Sequence, residues 1–396
     1  MTESVPLGDV AQINPRPDKP LAEDDIVSFL SMADVETDGT TTGGTDRPFG
    51  AVSRGYTQFE KGDILVAKIT PCFENGKIAQ AVTRHFRAAG STEFHVVRPR
   101  PSILDSRYLH HFLRQSSIRI DGERRMTGSA GQRRVPHSYL ASLRIPLVPV
   151  DEQRRIAEIL DRAAELLAKR RYSVTLLENL AKSVFLETFG ETAGEYQSAT
   201  VGDLAADRKN SIRTGPFGSQ LLHSEFVESG IQVLGIDNAV NNEFRWGKKR
   251  FITEEKYRKL ARYQVFPGDV IITIMGTCGR CAVVPEDLGV AINTKHLCCI
   301  SLDQGKCLPE FLHSYFLMHP IARSYLQRTA KGAIMSGLNM NIIKAMPVAL
   351  PPLSQQERYV AVVRDIHHQK LRQLRHLREL AELFESLQAR AFSGEL

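Results

Sequence analysis

The 396-residue chain is poor in cysteine, has one tryptophan and carries no large charge of either sign. Of its six cysteines, five crowd between Cys278 and Cys307, which is no disulfide framework and points to a reducing, cytoplasmic setting. No stretch approaches the ~18 uninterrupted apolar residues of a membrane helix, and MTESVPLGDV lacks the basic start and apolar core of a secretory signal. No membrane partner is expected. Basic residues exceed acidic ones by only 51 to 45, which permits a polyanionic partner without requiring one. The remaining composition, 42% apolar with 28 Gly and 19 Pro, is that of soluble globular protein. At ~150 residues per domain, the length predicts two or three domains.

Catalytic signatures are missing too. There is no Gly-x4-Gly-Lys-Ser/Thr loop, no Gly-x-Ser-x-Gly elbow and no Asn-Pro-Pro-Tyr/Phe segment for holding a flipped adenine. Asp63, Glu74 and Lys77 have Glu-x-x-Lys spacing rather than Glu-x-Lys. Gly62-Asp63 recurs as Gly268-Asp269, which reads as a turn before a strand. Cys278, Cys281, His296, Cys298, Cys299 and Cys307 approach zinc-ribbon spacing, but the second half lacks Cys-x-x-Cys. Small buried residues are the better reading, and no metal ligand is assigned. His110-His111 and His367-His368 are adjacent, so on a helix they point apart. No catalytic residue and no cofactor of this chain is assigned.

What the chain does have is a repeat. VPLGDVA at 5–11 matches ATVGDLA at 199–205, and KGDILVAKI at 61–69 matches PGDVIITIM at 267–275. Tyr108-Leu109 matches Phe311-Leu312, Gln153 matches Gln356, and Phe189 matches Phe392, each at an offset of 203. One module of half the chain is used twice. Each copy opens with short apolar runs punctuated by Gly, Pro and Asp, which read as strands, with helical patterns such as Ser106–Ser116 and Pro309–Met318 between them. Proline-rich connectors at 143–150 and 346–353 then give way to long runs free of Pro and Gly. The expected order is a globular domain at 1–150, a long helix at 151–195, a second globular domain at 196–353 and a second long helix at 354–396.

In the first helix Ile156, Leu160, Ala163, Leu167, Arg170, Val174, Leu177, Ala181 and Val184 advance in steps of four and three. In the second, Val363, Ile366, Lys370, Gln373, Leu377, Leu380, Phe384, Leu387 and Ala391 do the same. A 3.5-residue period makes a narrow seam that calls for a partner helix. The matched polar breaks at Arg170 and Gln373 favour pairing of the two helices over separate packing. Asp151 and Ser354 are the expected N-caps, Gly190 and Gly394 the expected stops.

The charge is uneven. Residues 1–150 carry 19 basic and 17 acidic side chains, residues 196–353 carry 18 and 13. Candidate nucleic-acid contacts in the first domain are Arg124, Arg125, Gln132, Arg133 and Arg134, which flank a Gly-rich loop open to close phosphate approach. In the second they are Lys248, Lys249 and Arg250, with Arg213, Ser219, Arg280 and Lys331. Arg213 to Ser219 reads equally as a contact or a structural turn, and Trp246 with Phe244 as a stacking pair or as core.

These features together resemble the DNA-specificity subunits of Type I restriction–modification systems. The resemblance rests on VDEQRRIAEILD at 150–161 and LSQQERYVAVV at 353–363 after proline-rich turns, on RTGPFGSQL at 213–221 with ESGIQVLGIDNAV at 228–240, on VSFLSMADV at 27–35, and on GSAGQRRV at 128–135. It implies an α/β (α+β) protein of two target-recognition domains joined by two long helices in an antiparallel coiled coil. It also implies that each domain reads half of an interrupted double-stranded DNA site, and that the helices bind two modification subunits. S-adenosylmethionine would belong to those subunits, and ATP with Mg to a restriction–translocase partner.

Overall fold

The computed structural model describes residues 3–16, 21–129, 131–190, 196–329 and 338–396. By packing it divides into one unit of residues 1–173 with 373–396 and another of residues 174–372. Each unit takes part of both long helices.

The two units share one plan. In the first, strands Ala11–Ile13, Phe94–Pro99, Ile64–Ala67 and Ile78–Gln80 form an antiparallel sheet in that order. A second sheet runs Thr45–Pro48, Ile26–Leu30, Arg87–Gly90, Thr57–Glu60, with its central pair parallel. In the other unit the same two sheets are Ile212–Thr214, Leu297–Ile300, Val270–Thr273, Cys281–Val283 and Phe251–Ile252, Ile231–Leu234, Ala291–Asn293, Gln264–Val265, again with a parallel central pair. Ile64–Ala67 and Val270–Thr273 are buried at every position, as uninterrupted apolar strands covered on both faces must be. Each follows the Gly-Asp turn. Gly62 and Gly268 adopt φ of +94° and +77°, and the Asp63 and Asp269 carboxylates accept the Glu60 and Phe266 N–H groups at 2.8 and 2.9 Å. Cys298 and Cys299 sit on opposite faces of one strand and enter two different apolar cores. Burial pushes the Cys298 thiol up to about 12. Among the described residues, no three His, Cys, Asp or Glu side chains are placed to hold a metal.

The long helices run Val150–Phe189 and Leu353–Ser393. They begin before the expected caps, because the carbonyls of Pro149 and Pro352 already accept helical bonds from the Gln153 and Gln356 N–H groups. Asp151 and Ser354 therefore belong to the first turn. Gly190 follows the first helix and Gly394, at φ +83°, follows the second. Every position of both heptad stripes is buried or half-buried. In the first unit Ile156 and Leu160 share a core with Phe384, Leu387 and Ala391, and Arg170 donates to Gln373. In the other, Val184 and Phe185 share a core with Tyr359 and Val363, and Lys370 pairs with Glu178 at 2.8 Å. Low numbers meet high numbers in both units, so the pairing is antiparallel. Leu167 and Val174 are buried, and Leu177, Leu377 and Leu380 are half-buried.

Two buried glutamines tie helix starts to domains. The Gln153 amide accepts the Asp105 N–H and donates to the Ile103 and Val148 carbonyls at 2.8–2.9 Å. Gln356 repeats this on the Leu308 N–H and the Lys306 and Pro351 carbonyls. Beside them the copies differ. Arg107 pairs with Asp161 on the first helix, whereas Glu310, at the equivalent position, pairs with Arg364 on the second. The ion pair is kept with its charges exchanged.

Gln356→Leu is expected to strand three backbone groups and to cost at least ~1–3 kcal/mol. The measurement is the urea midpoint, which should fall, and Gln153→Leu should lower it likewise. A midpoint unmoved by both would show that the glutamines clamp nothing.

Candidate nucleic-acid interface

In the 174–372 unit the strand Ile231–Leu234 ends in a tight corner. The Gly235 N–H donates to Asn238 Oδ1 at 2.8 Å, and Asn238 Nδ2 donates to the Arg245 carbonyl at 2.9 Å. In the first unit Ile26–Leu30 ends the same way, with the Ser31 N–H on Asp34 Oδ2 at 2.7 Å. VSFLSMADV and IQVLGIDNAV thus build one corner twice. In the second copy the corner also supplies Asp237, which accepts the Lys248 N–H at 2.7 Å and the Arg250 guanidinium. Burial opposes ionisation of Asp237, but these donors outweigh it and hold the carboxyl below its ordinary range. Gly247 lies so close that a Cβ there would stand 2.1 Å from Asp237 Oδ2. The basic segment is therefore pinned by its backbone and by Arg250, while Lys248 and Lys249 remain exposed.

These lysines line a cleft of about 870 Å³ together with Lys295, His223 and His296. Burial, then the nearby Lys295 and Arg250, lowers the His296 pKa and keeps the imidazole neutral at pH 7. Lys295, His296 and His223 escaped the sequence reading because none belongs to a run of charge. Folding brings segments near 223, 248 and 295 to one place, and no local pattern announces that. The signal that was available is Lys295-His296 standing directly between two apolar strands.

RTGPFGSQL divides into two parts. Arg213 is a correction: its side chain is 5% exposed and lies in the core, bonded to Asp269 Oδ2 and Ser301 Oγ. A guanidinium spent on a buried carboxylate cannot reach DNA without leaving that charge unpaired. Gly215 presses on the Asn293–Thr294 backbone, where a Cβ would meet Asn293 O at 2.0 Å. Only the end of the segment is open. Ser219 is exposed in the turn Gly218–Gln220, and Pro216 and Gly218 line the cleft. Arg280 is exposed. Trp246 is 54% exposed and meets Phe244 edge-on at 5.3 Å, while Phe244 is half-buried and packs against an apolar core. Lys331 lies outside the described residues.

The first unit presents a loop between Thr127 and Arg134, whose backbones pair with each other at 3.0 and 2.8 Å. Gly128 and Gly131 adopt φ of +120° and +84° within it. Gln132 is exposed at its tip and Arg124 is exposed nearby. The other arginines have carboxylate partners: Arg125 with Asp121 at 3.1 Å, Arg133 with Glu74 and Glu123 at 3.7 and 3.8 Å, and Arg134 with Glu93 at 2.8 Å. The Arg134 hydrogen bonds hold the Glu93 carboxyl below its ordinary range. His110 and His111 do part company, as expected: His111 Nε2 bonds Asp161 at 2.7 Å, and His110 lies on the Ile78 carbonyl.

The profile of the Type I restriction modification DNA specificity domain matches residues 2–174 and 220–380, one stretch in each repeat. The chain belongs to this family. Among its relatives is the EcoAI specificity subunit of a Type I restriction enzyme from Escherichia coli, 41% identical over 150 residues, which are 37% of this chain and 25% of that one. The EcoEI specificity subunit from the same organism is 36% identical over 202 residues, 50% of this chain and 33% of that one. The matches span a quarter to a third of the length of these relatives. The crystal structure of a Type-I restriction-modification S subunit from M. genitalium shares the fold, with a TM-score of 0.59 at 14% identity, over 98% of this chain and 96% of the other. The two corners and the Gly-rich loop lie within the matched stretches. Among the described residues no helix is long and apolar enough to cross a membrane.

Arg213→Met should cost roughly 3–5 kcal/mol by leaving Asp269 buried and unpaired. It is measured by thermal melting of the purified chain. A melting point equal to the parent's would return Arg213 to the surface.

Proposed function

We propose that this chain is the sequence-reading, non-catalytic subunit of a cytoplasmic Type I restriction–modification complex. Each recognition domain contacts one half of an interrupted double-stranded DNA site, and the paired helices set the distance between the halves. The helices also dock two modification subunits, which hold S-adenosylmethionine and methylate adenine. Restriction–translocase subunits using ATP and Mg join for cleavage, and no membrane is involved.

The observation that carries this reading is one framework furnished with two different surfaces. The same sheets and the same corner recur, yet one copy offers Arg124 and Gln132 and the other Lys248, Lys249, Lys295 and His296. Unlike half-sites demand unlike donors and acceptors at the base edges, whereas phosphate contacts need only charge and position. A scaffold that merely held DNA would gain nothing from such divergence.

Mapping of methylated adenines with the assembled complex should return a single bipartite sequence. Equal methylation of unrelated sequences would instead favour a non-reading scaffold, and methylation or cleavage by the pure chain an autonomous enzyme. Leu177→Asp with Leu380→Asp places two carboxylates in the helix seam. Co-purification with the modification subunit should drop severalfold in that variant, and normal assembly would sink the docking role of the helices.

A further inference from the structure

We propose that the two recognition domains grip DNA unequally, with the cleft of the 174–372 unit as the main phosphate-binding site. The arginine loop of the other unit shapes its surface and adds little net charge. This rests on the reading that the chain binds double-stranded DNA.

The argument is one of which cations are already spent. Of the four arginines around the loop at 124–134, Arg124 is exposed and three are already paired, Arg125 with Asp121, Arg133 with Glu74 and Glu123, and Arg134 with Glu93. Arg134 holds Glu93 through two hydrogen bonds, at 2.8 and 2.9 Å. For a phosphate to take the three paired guanidinium groups it would have to displace carboxylates already in place, and the exchange would release few counterions. Salt dependence follows counterion release, so this loop contributes a shallow slope.

The cleft is built otherwise. Asp237 takes up Arg250 and pins the Lys248 backbone. Lys248, Lys249 and Lys295 line the cavity without an ion pair among the described residues, and Glu228 is the one carboxylate in its described wall. His296, whose pKa is lowered by burial and then by Lys295 and Arg250, adds a hydrogen-bonding edge. Three lysines from two segments, one of them anchored from behind, suit the repeating anions of a nucleic-acid backbone. Lysine binds phosphate as a mobile point charge and needs no fixed geometry, so the grip tolerates any base sequence.

The experiment uses the full chain assembled with its modification partner. Binding is measured between ~50 and ~200 mM salt on two duplexes, one bearing the genomic sequence the complex methylates and one of mixed sequence. Lys248→Ala, Lys249→Ala and Lys295→Ala together should reduce the slope of log affinity against log salt by about 0.9 for each lysine, on both duplexes. Arg125→Gln, Arg133→Gln and Arg134→Gln together should change it by less than one lysine's worth. Melting curves and the Lys→Gln set separate charge removal from misfolding. Equal slope losses, or a larger loss from the arginine set, would overturn the proposal. A parent complex that binds both duplexes equally would overturn sequence reading while leaving the asymmetry standing. A parent that binds neither overturns both.

Discussion

A primary amide buried at the first turn of each long helix is the contact on which the rest of this structure depends. Gln153 and Gln356 each spend their oxygen and both amide hydrogens on backbone groups, from the loop before a short domain helix and from the proline-rich connector. No apolar side chain could satisfy those groups, and a shorter polar one would not span them. The proline carbonyl before each helix sets where the first turn begins, and the glutamine sets what that turn is bound to. With the direction of each helix fixed at its root, the heptad stripe has a defined face, and a second helix end can fill it.

Duplication has preserved this framework while altering the charges hung on it. Arg107–Asp161 and Glu310–Arg364 occupy equivalent places with opposite polarity. The Gly-Asp turn is retained in both copies, but its carboxylate finds its arginine on different strands. Asp63 pairs with Arg98 of Phe94–Pro99, and Asp269 with Arg213 of Ile212–Thr214. A buried carboxylate calls for a counter-ion, and the fold supplies it from the adjacent strand in one copy and from the next strand but one in the other. Arg213 looked like part of a binding motif because its requirement comes from a residue 56 positions away.

Much of the architecture was legible because it is periodic or repeated. The stripes from Ile156 to Val184 and from Val363 to Ala391 mark the seam because a 3.5-residue spacing leaves no other face to bury. The Arg170–Gln373 contact follows from the polar break common to both stripes. The strand after Gly62-Asp63 and its twin after Gly268-Asp269 were readable because glycine and aspartate together specify a turn. The helix starts were misplaced because Asp151 and Ser354 carry capping side chains, whereas the prolines before them supply the carbonyls.

What the chain alone determined was therefore local and symmetric: the repeat, the strand and helix types, the pairing seam and the family to which they belong. Tertiary structure decided which charges remain available. It sank Arg213 into a core, occupied Arg125, Arg133 and Arg134 with carboxylates, and assembled a cleft from His223, Lys248, Lys249, Lys295 and His296. The physical reason is that a cation's usefulness depends on what stands within a few ångströms of it. Residues distant in sequence set that neighbourhood, so no composition or spacing along the chain reports it.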